Sequence, residues 1–333
     1  MSRGRLTAVA VAATLLGVVI AGCGDDDGGG GGEGGTGKEK GTIAFNLAGR
    51  QIPYYRDLAA GMKAEATSQG WELKETFGDQ RVPTQLQQIE NLITTRPDGL
   101  VIGPIDQEAA IPAYQTAFEQ QIPIATVSDN IGESGVQFQL AYVGHVYEEL
   151  GRAKAQWIVD ELGGEGKVGI IHAIRGGNFT EEQDKGAKAL FAENPGIEVV
   201  DGPYVGDFTA DVGLRGTENL LAREPDLDAL FFDNDDIALG GIEAVQARDI
   251  PPDEIVIAGT DGGPPALEAV KKGDLDVTFS LCGYAQGAQA VRTLIDFIQD
   301  GTKPPATVET PQVVFTTDNI DEKLASLTRE ECR

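Results

Sequence analysis

The sequence predicts an α/β protein built from two doubly wound parallel-sheet domains. Three observations carry that prediction. Short β-branched runs alternate with longer amphipathic patterns, the alternation starts afresh half-way along, and the chain from Gly41 onward holds about 290 residues, room for two domains of ordinary size.

In the first series TIAFNL (42–47) is a strand, and Tyr54 to Ser68 a helix ended by Gly70. WELKETF (71–77) is the next strand and Thr84 to Thr95 the next helix. GLVIG (99–103) leads into a helix from Gln107 to Gln120, with Asp106 placed to cap it. IPIATV (122–127), QLAYVG (139–144) and a helix from Glu148 to Leu162 close the series. The second series opens with KVGIIH (167–172) and the helix Thr180 to Glu193. IEVVDG (197–202), the helix Asp211 to Arg223 and DALFFD (228–233) follow. Helix Ile237 to Arg248, strand EIVIAG (254–259), helix Pro265 to Lys272 and strand DVTFSL (276–281) complete it, before a last long helix from Ala285 to Asp300. Apolar strands alternating with amphipathic helices imply sheets covered on both faces.

The segment ahead of the folded part has a separate logic. Arg3 and Arg5 precede an almost unbroken apolar run from Leu6 to Ala21, so 1–22 reads as a signal peptide. Ile20-Ala21-Gly22-Cys23 resembles a bacterial lipobox, which implies that Cys23 becomes the lipidated first residue of the mature protein. An ordinary signal peptide or a single membrane span is the alternative, the run being about as short as a span can be. Gly24 to Gly37 carries no apolar side chain, and 23–40 is expected to be a flexible tether. Acyl chains on Cys23 would then place the protein on the extracytoplasmic face of the cell membrane, held there by its lipid anchor only.

Lys and Arg number 26 against 53 Asp and Glu, a formal charge of -27. That balance argues against nucleic acid or an anionic membrane surface as a partner. The cysteines are Cys23, Cys282 and Cys332; with Cys23 lipidated, the other two form a disulfide or remain as two free thiols. The histidines His145 and His172 lack metal-ligand spacing, and no nucleophile elbow or phosphate-binding Gly-Lys-Ser/Thr loop occurs. No metal, cofactor or enzymatic activity is expected.

In doubly wound sheets ligands gather at the carboxyl ends of the strands. The loops there read RQIPYY after the first strand, SDN after the fourth, DNDD after LFF and TDGG after IVIA. Polar groups placed directly after buried strands are aimed from rigid supports, although helix capping accounts for some of them.

These loops resemble those of bacterial solute-binding proteins of the ribose-binding type (periplasmic binding protein type 1), the extracellular receptors of ABC importers. The resemblance rests on PYYRDLAAGMKAEA, FFDNDDIALGGIEA and IAGTDGGPPALEAVKKG, and covers Gly41 to about Asp318. It implies two lobes joined by a three-segment hinge, with the ligand cleft between them. Lobe one would hold 41–144 plus 282–309, and lobe two 145–281 plus 310–333. Ligand would close the cleft, and the closed shape would be read by a membrane permease. A monomer is expected.

The resemblance also implies a site. Tyr54 and Tyr55 match an aromatic pair in lobe one and Phe208 an aromatic in lobe two, rings that would sandwich a ligand. Asn234 and Asp261 match an amide and a carboxylate, and Asp129 a hydroxyl-binding aspartate, with Ser128 and Asn130 sharing that position. Departures matter as much. Ala48, Ile52, Gln183 and Leu281 stand where the ribose pattern has Ser, Asn, Arg and Gln, and a second Arg would fall near Asn130. Gln183 also completes a capping-box pattern with Thr180, and is retained as a site candidate. Arg50 and Arg175 lie at the rim, able to replace the lost guanidiniums. Losing these contacts argues against ribose itself and for a small neutral sugar or polyol. The alternatives are a cationic ligand such as an amino sugar or quaternary amine, or a sensor that passes its closed form to a membrane signalling partner. A lactose-repressor-type regulator would need a basic helix-turn-helix where this chain has an acidic leash.

Overall fold

The computed structural model describes residues 37–328 and Cys332. The leader, most of the tether and Cys23 lie outside the described residues.

The first series forms β1 (Thr42–Leu47), α1 (Pro53–Ser68), β2 (Glu72–Phe77), α2 (Val82–Thr94) and β3 (Gly99–Ile102). It continues through α3 (Gln107–Glu119), β4 (Ile124–Val127) and β5 (Ala141–Gly144). The second comprises α4 (Tyr147–Glu161), β6 (Gly166–His172), α5 (Asn178–Glu193), β7 (Ile197–Tyr204), α6 (Ala210–Arg223) and β8 (Ala229–Phe232). It ends with α7 (Asp235–Gln246), β9 (Val256–Asp261), α8 (Pro264–Lys272) and β10 (Val277–Ser280). Then come α9 (Gly283–Asp300), β11 (Thr307–Glu309), β12 (Val313–Thr316) and α10 (Ile320–Ser326).

Two six-stranded sheets result, in the orders β11-β5-β4-β3-β1-β2 and β12-β10-β9-β8-β6-β7. Every pairing is parallel except β10 with β12. Side chains alternate across each sheet, as a period of two requires. Ile43, Phe45 and Leu47 face the core under α1 and α9, whereas Ala44 faces the core under α2 and α3. In the second sheet Phe231 packs beneath α4 and α5, and Leu230 and Phe232 beneath α6 and α7. Helix α9 packs on the first sheet although it follows the second series.

The chain therefore passes between the lobes three times: from β5 to α4, from β10 to α9 and from β11 to β12. His145 in the first passage ties the other two, its Nε2 lying 2.9 Å from the carbonyl of Leu281 and 3.3 Å from Thr310 Oγ1. Cys282, in the second passage, is joined by a disulfide to Cys332.

Several boundaries differ from those expected. Helices α1, α2, α5, α6, α7 and α9 each begin one or two residues early. Prolines open α1 and α2, because the missing N–H costs nothing in a first turn. Asn234 caps α7, so Asp235 already lies inside it. Thr180 is likewise internal to α5; the expected capping box is absent, and its hydroxyl accepts instead from Ile174 N at 3.3 Å. Residues 37–40, expected to belong to the flexible tether, include residues that contact the folded part. Gly37 N donates to Gln299 O at 3.1 Å, and Lys38 pairs with Asp98 at 2.6 Å.

Candidate ligand-binding site

The loops that follow β1 and β4 in one lobe face those that follow β6, β8 and β9 in the other. Tyr54 and Tyr55 open α1 with their rings 5.4 Å apart. Tyr54 touches the cores of both lobes, and its hydroxyl donates to Gln286 Oε1 on α9. Burial raises the phenols of both tyrosines well above their ordinary range, and the charges of Asp129 and Asp261 raise them further. One aromatic pair thus lies within electrostatic reach of carboxylates from opposite lobes.

Ser128 is held at φ 63°, a strained conformation for a residue with a side chain. Two phenols hold its carbonyl there: Tyr142 donates at 2.7 Å and Tyr147 at 2.6 Å. Tyr147 belongs to α4, so this bond crosses between the lobes. The Ser128 hydroxyl lies 3.3 Å from that of Tyr55. Asp129 then meets the second lobe, accepting from Asn178 Nδ2 at 3.4 Å. Burial pushes its carboxyl up to about 6, and the bond from Asn178 opposes that shift.

In lobe two Asn234 Oδ1 accepts from Ile237 N at 3.1 Å, which fixes the amide so that its Nδ2 points to Asp261 Oδ2, 3.3 Å away. Asp261 ends β9 at φ 124°. Burial raises its carboxyl well above the usual carboxylate range, the neighbouring Asp235 and Asp236 raise it further, and Asn234 and Lys154 oppose them. Asp235 is spent on structure: it accepts from Gly262 N at 2.7 Å and from Thr278 Oγ1 at 2.9 Å, pinning the loop after β9. Between the lobes lies a pocket of about 80 Å³, open to solvent and bordered by Tyr54, Asp57, Asp236, Asp261, Tyr284 and the disulfide. Among the described residues none lining it is a lysine or arginine.

A family model, the periplasmic binding protein domain, matches residues 43–303. The chain belongs to this family. The ribose import binding protein RbsB of Bacillus subtilis (strain 168) is 28% identical over 305 residues, 91% of this chain and 97% of the relative. The crystal structure of a periplasmic ribose ABC transporter from Conexibacter woesei DSM 14684 is 36% identical, covers 90% of this chain and 99% of that one, and superposes with a TM-score of 0.81. An ABC transporter solute-binding protein from Bacillus halodurans C-125, with bound myo-inositol, is 27% identical with a TM-score of 0.79, over 88% of this chain and 100% of that one. The two-lobed chain is thus a ribose-binding-like solute-binding protein of an ABC importer, a receptor and not an enzyme.

Within this binding protein the sequence candidates separate into two groups. Tyr54, Tyr55, Ser128, Asp129, Asn234 and Asp261 come together. Phe208 joins them through Phe179, its ring 5.9 Å from that of Phe179, which is itself 4.9 Å from Tyr147. The others are engaged elsewhere. Asn130 Oδ1 accepts from Ile131 N at 2.8 Å and from Gln139 at 3.1 Å. Gln183 does not reach the cleft. It is fully buried, its oxygen taken by Lys154 at 3.0 Å and Thr260 at 3.3 Å, its amide by the carbonyls of Phe179 and Asp233. Each rim arginine lies on a ring of its own lobe, Arg50 4.3 Å from Phe77 and Arg175 4.0 Å from Tyr204.

Sequence reasoning missed Tyr147, Asn178 and Phe179. They lie in the first two residues of α4 and α5, before the apolar periodicity begins, and the signal was the polar-aromatic stretch GGNF that runs into α5.

Proposed function

We propose that this protein captures a small neutral sugar or polyol between its lobes and delivers it to the permease of an ABC importer. The observation that carries the reading is the pairing of Asp129 and Asp261, from opposite lobes, on one tyrosine pair, with the two rim arginines Arg50 and Arg175 each laid on a ring of its own lobe. Carboxylates accept hydroxyl hydrogens in pairs, and the Asn234 amide can donate to a hydroxyl oxygen. Flat aromatic faces cover the C–H surfaces of a sugar. The relatives named for ribose, and the structure with bound myo-inositol, support the same class of solute.

The ligand site is Tyr54, Tyr55, Ser128, Asp129, Phe208, Asn234 and Asp261, joined by Asn178. We take lobe one as 41–144 with 282–309, and lobe two as 145–281 with 310–333, which agrees with the strand content of the two sheets. The protein works as a monomer tethered through lipid on Cys23 to the extracytoplasmic face of the membrane, a reading that rests on the lipobox-like Ile20-Ala21-Gly22-Cys23.

A thermal-shift panel tests the solute class. Binding to the native state raises the melting temperature once the compound exceeds its dissociation constant. D-ribose, xylitol and myo-inositol are compared with D-glucosamine and choline. A rise with at least one neutral compound and none with the cations is expected; a rise with the cations alone would replace the proposed solute class.

A further inference from the structure

Lys154 is fully buried in α4, and every hydrogen on its ammonium has a protein partner. Nζ donates to Phe232 O at 2.6 Å, Thr260 Oγ1 at 2.8 Å and Gln183 Oε1 at 3.0 Å, and lies 3.9 Å from the centre of the Phe231 ring. Those partners sit at the ends of β8 and β9 and in α5. Two residues beyond Phe232 comes Asn234, one beyond Thr260 comes Asp261, and α5 opens with Asn178. A single cation therefore ties together the three elements that present lobe two's polar groups to the cleft.

The surroundings are acidic. Asp184 on α5, Asp233 and Asp235 after β8, and Asp261 on β9 all act electrostatically on Lys154. His172 at the end of β6 faces Asp184, its Nδ1 2.5 Å from Oδ2, and also feels Asp233. Removing an ammonium from water is costly and is tolerated where hydrogen bonds and opposite charge compensate it. Here burial lowers the ammonium's affinity for its proton and the four carboxylates oppose that shift only in part, leaving it at about 8. Burial pushes Asp233, Asp235 and Asp261 upward, and Lys154 pulls each of them back.

We propose that Lys154 is a positioning and charge-balancing residue of the cleft: from beneath its floor it aligns the ends of β8, β9 and α5, and supplies the positive charge that lets Asp261 face an uncharged solute. This rests on the neutral-solute reading for its consequence, but not for its test. With the balancing cation inside the protein, the solute need not bring one.

The first measurement is made without any solute: carbon-13 NMR titration of the aspartate carboxyls in wild type and Lys154→Met. The carboxyl midpoints of Asp261 and Asp235 are expected to rise by at least one pH unit in the variant. Unchanged midpoints in a folded variant would reduce Lys154 to a packing residue and overturn the proposal. If the variant does not fold, wild type decides through its own lysine Cε titration. A resonance assigned to Lys154 and titrating below the ordinary lysine range but above pH 7.5 supports the proposal; titration together with the surface lysines, or a side chain already neutral at pH 7.5, overturns it. Both proteins are then titrated with D-ribose, xylitol and myo-inositol at pH 7.5, where at least a tenfold weaker affinity is expected in Lys154→Met. Equal affinity for a compound that binds wild type counts against the proposal. Binding of none of the three to wild type counts against the solute class alone, because the carboxyl titration needs no solute.

Discussion

The Asp129 carboxyl is raised by burial to about 6 in the folded protein, against an ordinary value near 4 in the unfolded chain. Between those two values the folded state holds more protons, so stability falls as pH rises through that window and the loss persists above it. Asn at this position carries no charge to desolvate. Asp129→Asn should therefore be more stable than wild type at pH 7.5, by about 1 kcal/mol once partial contact with water is allowed for, and not more stable at pH 4.5. Thermal unfolding of the solute-free proteins at both pH values checks this; a difference independent of pH would show that Asp129 is not desolvated as described. Asp129, Asn234 and Asp261 could be placed at the carboxyl ends of strands from the sequence because each lies at or within two residues of the end of a buried apolar strand. Gln183 was misread for a physical reason. A polar residue in a first turn reads as exposed, and nothing in its own neighbourhood announces a buried lysine 29 positions earlier in the chain as its partner. Lys154 itself reads as a solvated residue of an amphipathic helix.

The paired helices meet through glycine. A side chain at Gly61 of α1 would strike the carbonyl of Tyr284 in α9, and one at Gly287 of α9 the carbonyl of Leu58 in α1. The same reciprocal arrangement joins α4 to α5 through Gly151 and Gly186, and α6 to α7 through Gly213 and Gly240. These close approaches cover one face of the first sheet and both faces of the second. Helix and strand order followed from apolar periodicity, but β11, β12 and α10 did not. All three are short, and β12 offers only the run Val313 to Phe315, so the order of the two strands comes from pairing with β5 and β10 rather than from local preference. The disulfide from Cys282 fixes the end of this last segment across 50 residues of sequence. Closing a loop of that length removes unfolded-state entropy worth about 4 kcal/mol in the chain-entropy account. Reduction followed by alkylation should lower the melting temperature by several degrees, and intact mass should show alkylation of both residues after reduction only. Alkylation without reductant would show the bond to be absent.

Two lobes, three passages and one titratable side chain bridging the passages give the molecule its means of closing. His145 is buried, and burial depresses its affinity for a proton, so the neutral ring links the passages at neutral pH. Two hydrogen bonds cross between the lobes at the candidate site, Tyr147 with Ser128 and Asn178 with Asp129; a solute lodged on the same groups shifts an equilibrium between lobe arrangements only by what it gains there. The two-domain plan was readable from the restart of the strand-helix alternation. The return of α9 to the first sheet was not, since periodicity says which face of a helix is buried and not which sheet buries it. The most direct test of the cleft is a calorimetric titration of wild type and Asp261→Ala at pH 7.5 with xylitol, myo-inositol and D-ribose. One-to-one binding of at least one of them to wild type is expected, weakened about tenfold or more when the carboxylate is removed and its hydrogen bonds with it. Binding of equal strength to the folded variant would contradict the placing of the solute between the lobes.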